Sequence, residues 1–238
     1  RDQVEPDATI LAAQLADQPE VEAAQPNYLR RFNKTPTDPG YTRQWNLAAL
    51  DLPRAWDIND GANSGITVAV VDTGVTAVAQ AFTFQTWNGT TIQNINVPFS
   101  TNPDLSAARL VSPRDFAFWN GPVLDMVGHG THVSATIGED ANNAIAEAGI
   151  AYNVKIMPVK VCVGYWEVQF VLSASGFKGF VPLDVGGCDT AALAQGIRYA
   201  ADGGAKVINV SLGGPDSSPI EMDALKYAVG KGAFIAIS

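Results

Sequence analysis

The chain has 238 residues, of which 47% are hydrophobic and 16% are charged, and its formal net charge is −9 at pH 7. This composition is typical of a globular protein, and no run approaches the ~18 apolar residues that span a bilayer. The 15 basic residues are scattered, which argues against a nucleic-acid-binding surface. The length suits one large α/β domain or two smaller units.

The first part of the chain differs in composition from the rest. "ILAAQLADQP" predicts a short helix, "VEAAQPNYLRRF" predicts a strand after the break at Pro19, and "NKTPTDPGYTRQW" reads as an exposed linker. We therefore expect a boundary near residues 32 to 42 and divide the chain into 1–37 and 38–238. The chain begins without Met and stops inside the apolar run "GAFIAIS", so we expect that neither end is a natural terminus.

After Trp45, apolar runs that predict strands alternate with segments that predict helices. The runs are "GITVAVVD", "VKIMPVKV", "AKVINVSLGG" and "GAFIAIS", and the helical segments are "DTAALAQGIRYAADGG" and "SSPIEMDALKYAVGKG". Both helical segments begin with an Asp or Ser cap and end at Gly. This alternation favours right-handed βαβ units around a mostly parallel sheet, with chemistry at the carboxyl ends of the strands.

Asp72 follows "TVAVV" directly and precedes "TGV", so it lies at the carboxyl end of a predicted strand. A carboxylate at that position is placed at a cleft rather than in open solvent. The strand context alone leaves a second interpretation open, in which Asp72 only forms a turn before Thr-Gly.

His129 and His132 are the only two histidines, and "GHGTHVSATIG" predicts that both lie in the first turn of a helix. A metalloprotease helix has its histidines at i and i+4 beside a Glu, whereas these are at i and i+3 with Gly and Thr between them. A packed core imidazole is a further alternative. A buried Asp72 bonded to one ring nitrogen would leave the other nitrogen to take a proton from a nucleophile, which is two-thirds of a hydrolase triad.

Three motifs together resemble the subtilisin-like serine peptidases, the subtilases. They are "ITVAVVDTGV" around Asp72, "GHGTHVSATIG" around His129 and "KVINVSLGG" around Ser211, and the likeness covers about residues 44 to 238. The resemblance implies a three-layer α/β fold with a mostly parallel sheet, incomplete here and preceded by the tail of an α+β propeptide. It also implies that Asp72 orients the imidazole, that His129 is the general base and acid, and that His132 is a supporting, structural residue.

The same resemblance implies a substrate-lining segment at "VSLGG". Its residues are Val210, Ser211, Leu212, Gly213 and Gly214, and their backbone would pair with a peptide as an added strand. Without the resemblance, the segment is an ordinary strand end followed by a Gly-Gly turn. "QPEVEAAQPNYLRRF" resembles the end of a subtilase propeptide, an intramolecular inhibitor; the alternative is a leftover helix and strand of an unrelated adaptor.

Two further features follow from the likeness. "EDANNAIAEAG" resembles the loop that holds a structural calcium in many subtilases, with Asn143 and Gln44 as side-chain ligands, although Asn-rich loops are common in any protein. The stretch between Cys162 and Cys188 looks like an insertion beside the cleft, closed by a disulfide if the protein is exported. Its aromatic residues are predicted to form either an exposed rim for substrate or the insertion's own core: Tyr165, Trp166, Phe170 and Phe177.

The family's serine motif and its oxyanion-hole Asn do not occur among the 238 residues, and neither Ser211 nor Ser238 stands in a nucleophile motif. We therefore expect both groups to follow residue 238 and residues 1–238 alone to be inactive. The resemblance implies a secreted or periplasmic precursor that hydrolyses polypeptides, without a membrane span or nucleic-acid partner. The alternatives are a non-catalytic subtilase-like peptide-binding domain and a metal-dependent hydrolase that uses both histidines.

Overall fold

The computed structural model describes residues 7–27, 35–62, 64–117, 123–184, 186–214 and 217–238. Contacts divide the chain into two compact units, 1–33 and 34–238, so the division falls slightly before residue 37. None of the helices in the described ranges has the length and apolar character needed to cross a membrane.

The first unit contains the predicted short helix, α1 (Ala8–Ala16), which begins where the Asp7 carboxylate accepts a hydrogen bond from the Thr9 amide. The predicted strand is wrong for residues 21–27, which form no strand, and residues 28–32 lie outside the described part. A strand needs a partner for its backbone groups. The described part of this unit contains no second extended segment that pairs with residues 21–27.

The second unit is built on a five-stranded sheet in which every neighbouring pair of strands is parallel. In spatial order its strands are β4 (Arg114–Asp115), β5 (Lys155–Lys160), β1 (Thr67–Asp72), β8 (Val207–Val210) and β9 (Phe234–Ile237). In the described ranges, two antiparallel pairs lie outside this sheet: the hairpin of β2 (Gln80–Trp87) with β3 (Ile92–Phe99), and the short pair of β6 (Cys162–Val163) with β7 (Gly187–Cys188), which are far apart in the chain. The four predicted strands are thus confirmed.

Helices cover both faces of the sheet. They are α2 (Trp45–Ala49), α3 (Leu52–Ile58), α4 (His129–Gly138), α5 (Tyr165–Ala174), α6 (Thr190–Asp202) and α7 (Pro219–Gly230), with short 3-10 helices at Tyr41–Arg43 and Ala107–Arg109. The side chain of Asp189 caps α6 and that of Ser218 caps α7, so the two caps are as predicted.

Strand β1 shows why the unit has three layers. Successive side chains of a strand point to opposite faces, and Val68 and Val70 pack in the cluster on the α4 side. Ala69 and Val71 pack in the cluster that contains α6 and α7 residues. Because β1 is apolar on both faces, it requires helices on both, which confirms the three-layer α/β fold.

The hairpin of β2 and β3 was not predicted. Its signals are present in the sequence: apolar residues alternate along both strands, and the four connecting residues, 88–91, begin with Asn88 and Gly89, with Gly89 at φ 95°. The hairpin packs against α5 through Phe84 and Phe170. The segment between the cysteines therefore shares a core with the hairpin.

Some aromatic residues between the cysteines are buried and others are exposed, so neither the core nor the exposed rim describes all of them. Phe170 is buried against the hairpin, whereas Trp166 and Phe177 are 53% and 42% exposed. Cys162 and Cys188 are joined by a disulfide at the paired strands β6 and β7, which closes the base of the segment.

Candidate active site

Asp72 is the last residue of β1 and is 1% exposed. One carboxylate oxygen accepts a hydrogen bond of 2.6 Å from the Thr73 amide. Parallel pairing with β5 buries the strand up to its final residue, so the carboxylate is fixed at the carboxyl edge of the sheet.

His129 is the first residue of α4, and its ring contacts Asp72. The ring Nδ1 lies 2.8 Å and 2.9 Å from the two carboxylate oxygens. An ionised carboxylate only accepts hydrogen bonds, so Nδ1 carries the hydrogen and Nε2 of the neutral ring is an acceptor. The His129 side chain is 49% exposed, which leaves the ring accessible to a second group.

Asp125 holds the start of α4 in place and was missed by the sequence analysis. Its carboxylate accepts hydrogen bonds from the amides of Val127, Gly128 and Thr131 and from the hydroxyl of Thr131. It also accepts a 2.9 Å hydrogen bond from the Thr73 hydroxyl. The sequence did contain a signal for this role, because Asp125 lies just before a helix whose own N-cap residue, Gly128, has no side chain to cap it.

Thr73 and Gly130 join the end of β1 to α4. The Gly130 amide donates to the Thr73 hydroxyl over 2.8 Å. A Cβ atom added at Gly130 would lie 2.4 Å from the carbonyl oxygen of Gly74, so only glycine permits this approach. The close contact holds His129 within reach of Asp72.

A buried ion pair lies beside Asp72 in the sheet. Lys160 Nζ is 2.7 Å from a Glu167 oxygen, with both side chains almost fully buried. The same ammonium group donates to the carbonyl oxygens of Thr73 and Cys162. Burial raises the pKa of the Glu167 carboxyl, and the charge of Lys160 opposes that increase. The pair connects the end of β1 to α5.

His132 lies on the exposed side of α4 and is not brought to Asp72. Its carbonyl oxygen accepts a hydrogen bond from the Thr136 hydroxyl. Within the described ranges, no group of three or more His, Cys, Asp or Glu side chains is arranged to hold a metal ion. This arrangement favours acid–base chemistry over a zinc site for His129.

The segment "VSLGG" continues from the end of β8. Val210 is the last residue of the strand and is buried, Ser211 accepts a hydrogen bond from the Asn209 side chain, and Gly213 and Gly214 are exposed. Val210, Leu212, Gly213 and Gly214 line a groove of about 450 Å³ together with Gly187 and Cys188. The segment thus follows β8 directly and borders an open groove beside the disulfide.

The loop predicted to bind calcium brings together more oxygen atoms than the sequence analysis named. The side-chain amide of Asn143 donates a 2.6 Å hydrogen bond to the Asp104 carboxylate. The backbone amide of Asn143 donates a hydrogen bond to the carboxylate of the buried Asp38. Asp104 Oδ2 is buried and has no hydrogen-bond partner among the described residues. Gln44 is bonded at both ends of its amide to the backbone of Ala148. Burial raises the pKa of Asp104, against the hydrogen bond from Asn143.

Comparison with known proteins identifies the family. The model of the Subtilase family matches residues 63–238, which include the Asp72 and His129 motifs and the "VSLGG" segment. The chain belongs to the subtilase family. The resemblance inferred from the three motifs is therefore confirmed.

Individual subtilases match over most of this chain. Thermitase from Thermoactinomyces vulgaris is 33% identical over 203 residues, which cover 84% of this chain and 56% of thermitase. The "Extracellular protease" of Xanthomonas campestris pv. campestris is 30% identical over 253 residues, covering 98% of this chain and 39% of that protein. The chain thus spans about half the length, or less, of these relatives.

A solved structure of a protease from Pseudoalteromonas arctica supports the same fold. It is 25% identical to this chain, with a TM-score of 0.58. The match covers 85% of this chain and 58% of that one. The parallel sheet and flanking helices of the second unit are therefore those of a subtilase.

Proposed function

We propose that this chain supplies the aspartate and histidine of a serine endopeptidase, with the serine and the oxyanion Asn lying beyond residue 238. The contact of His129 Nδ1 with the Asp72 carboxylate carries the proposal. Family membership supports it, as does the greater length of the relatives.

In this mechanism the serine attacks a peptide carbonyl and Nε2 of His129 accepts the serine proton. His129 then returns the proton to the leaving amine, which completes acyl transfer, and water repeats the sequence on the acyl-enzyme. Asp72 holds the ring orientation and stabilises the imidazolium that forms in each step. The buried position of Asp72 strengthens this interaction because water screens it poorly.

The test is casein hydrolysis by the full-length protein, with His129→Ala and His132→Ala compared. His129→Ala should reduce kcat by at least about 10⁴-fold, in line with the losses measured for triad residues in the related enzyme subtilisin. His132→Ala removes the same side chain outside the Asp72 contact and should be far milder. Equal losses in both variants, reversed by zinc, would instead indicate a metal-dependent hydrolase. A full-length protein that binds peptides without hydrolysing them would indicate a binding domain.

We also propose a structural calcium ion at Asp104, Asp38 and Asn143. The unpartnered buried oxygen of Asp104 supports it, since such an atom is costly unless it binds a cation. Carboxylate, amide and backbone oxygens are the ligands that calcium prefers. Gln44 fits this proposal as a residue that holds the loop through Ala148.

If calcium binds there, the effect of one substitution on Tm should depend on whether calcium is present. Asp104→Asn should lower Tm in calcium, because a ligand is lost, and raise or preserve it in EDTA, because a buried charge is removed. Asp51→Asn, at an exposed carboxylate paired with Arg54, is the control and should respond equally in both buffers. The same Tm difference for Asp104→Asn in both buffers would contradict the site.

We further propose that the first unit is the end of a propeptide that inhibits the enzyme before cleavage, and that the protein is secreted. The separation of residues 1–33 from 34–238 and the extracellular relative support this assignment. Amino-terminal sequencing of the active, secreted enzyme should place its first residue between about 34 and 38, so that Asp38 stays with the loop to which it is bonded. An active enzyme that retains Ala8–Ala16 would contradict the propeptide role.

A further inference from the structure

A second groove, of about 610 Å³, lies between the β2–β3 hairpin, α5 and the start of α4. Its lining residues come from all three segments: Thr76, Ile95, Val97, Pro98, Phe99, Ser100, Asp125, Met126, Gly128, Thr131, Trp166 and Phe170. None of them lines the groove beside "VSLGG". We call it the hairpin groove. Its volume is within the range of pockets that hold ligands, roughly 300–1,000 Å³.

The walls of the hairpin groove are held together by aromatic packing. Phe84 of the hairpin stacks on Phe170 of α5, with ring centroids 4.6 Å apart and planes at 13°. Trp166 packs against Phe170 at 5.9 Å. Leu124, just before the α4 start, belongs to the same buried cluster. The groove is therefore preformed, which lowers the conformational cost of binding.

The chemistry of the hairpin groove favours an apolar guest. Ile95, Val97 and Phe99 are half-buried, and Trp166 is 53% exposed along the wall. The main polar group, Asp125, is already bonded to the backbone and hydroxyl groups that hold α4. Large aromatic surfaces left open beside satisfied polar groups are typical of binding sites.

The position of the groove identifies the guest. Gly128 lines the groove and immediately precedes His129, the residue that contacts Asp72. A polypeptide that is cleaved beside His129 extends from the cleaved bond by about 3.3 Å per residue. A residue a few positions from the cleaved bond is therefore within reach of the groove.

We propose that the hairpin groove is a specificity site for a large apolar side chain, aromatic or branched aliphatic, of the polypeptide substrate. The side chain lies at least two positions from the cleaved bond, and Ile95, Phe99 and Trp166 form the contact surface. The proposal rests on the proposed endopeptidase activity and adds a substrate preference to it.

The test uses the full-length protein with internally quenched peptides. A short peptide covers only the two residues that flank the cleaved bond, and longer peptides carry Phe, Leu or Lys at each outlying position in turn. At one outlying position the unsubstituted protein should cleave the Phe or Leu peptide at least about 10-fold faster than the Lys peptide, as one buried apolar side chain allows.

Two variants change the groove and one matched variant does not. Ile95→Lys places a charge inside the groove, and Trp166→Ala removes one wall. Asn94→Lys adds the same charge at the adjacent exposed residue, whose side chain points to the opposite face of β3. Ile95→Lys and Trp166→Ala should each reduce the preference for the Phe or Leu peptide over the Lys peptide to below about 3-fold. Both variants should cleave the short peptide within about 2-fold of the original rate. Asn94→Lys should keep the original preference.

An unchanged preference in Ile95→Lys and Trp166→Ala, an equal loss in Asn94→Lys, or no apolar preference at any position would overturn the inference. Fluorescence anisotropy of the same longer peptides measures the preference without turnover. Failure to cleave any of the peptides, long or short, would contradict the endopeptidase proposal, while the binding measurement would still decide whether the hairpin groove binds an apolar side chain.

Discussion

Lys160 lies opposite Asp72 in the register of the parallel sheet, and its ammonium group donates to the carbonyl oxygen of the residue that follows β1, Thr73. The charge of Lys160 is balanced by Glu167 of α5 at 2.7 Å. The strand that ends at Asp72 is therefore connected to the segment between the cysteines by a buried ion pair.

Breaking this pair should be strongly destabilising. Glu167→Gln leaves a buried ammonium group without its counter-charge and should lower the free energy of unfolding by about 3–5 kcal/mol. Replacement of both partners, Lys160→Met with Glu167→Leu, should restore much of the loss because neither member of the pair is left as an uncompensated buried charge. Urea unfolding of the three proteins measures these differences.

The exposed pair of Arg54 and Asp51 provides the control for that experiment, since their side chains are 77% and 57% exposed. Arg54→Ala should cost less than about 1 kcal/mol. A loss in Glu167→Gln no greater than in Arg54→Ala would show that the Lys160–Glu167 pair does not hold β1.

Asp125 should affect both stability and catalysis. Asp125→Ala removes the acceptor for the amides at the start of α4 and should cost about 1–2 kcal/mol, as loss of a helix cap does. Because His129 is in that turn, kcat should fall while KM for short peptides changes little. If Asp125 had only a structural role, Asp125→Ala would lower Tm and leave the kcat of the folded enzyme unchanged. Steady-state kinetics measured well below Tm distinguish these results.

Gly130 should tolerate no side chain. Gly130→Ala puts Cβ 2.4 Å from a backbone oxygen and should cost about 1–3 kcal/mol through overpacking, despite the better helix propensity of Ala. Gly230→Ala, at the end of α7 with nothing within 4 Å of the added atom, should be neutral or stabilise by up to about 1 kcal/mol. Thermal unfolding compares the two, and similar effects would contradict the close contact of α4 with β1.

Glu139 should make stability depend on pH. Burial raises the pKa of its carboxyl, with the hydrogen bond from Asn102 opposing the increase. The folded state therefore binds the Glu139 proton more tightly than the unfolded state does. The contribution of Glu139 to the free energy of unfolding falls as pH rises above the carboxyl pKa of the unfolded chain. The difference in Tm between Glu139→Gln and the unsubstituted protein should shift in favour of Glu139→Gln from about pH 4 to about pH 8. Exposed Glu20→Gln is the control, and equal shifts in both variants would contradict the effect of burial.

The sequence was sufficient to predict the Asp72–His129 contact and the parallel sheet. Both residues occur in motifs whose local structure is simple: a buried strand that ends at Asp72 and a helix that begins at His129. The strand predicted from Val21 failed over the described residues because an extended pattern does not provide a pairing partner.

Other parts of the site depend on tertiary contacts. Asp125 caps a helix from a loop and also accepts a bond from Thr73, which is 52 positions away in the sequence. The pairing of Lys160 with Glu167 was not predicted because Lys160 lies within an apolar run that was interpreted only as a strand. A lysine inside a buried strand does indicate that it has a partner within the protein. The hairpin of β2 and β3 did show alternation and an Asn-Gly turn, but its packing on Phe170 required the folded chain.

Labelling of the full-length protein with a serine-directed phosphonate, followed by peptide mapping, tests the proposed triad most directly. We expect one covalent label per chain on a serine beyond residue 238, with labelling slowed by at least about 10³-fold in Asp72→Asn and His129→Ala. Labelling at Ser211 or another serine within 1–238, or labelling that is unchanged in both variants, would contradict the assignment of Asp72 and His129.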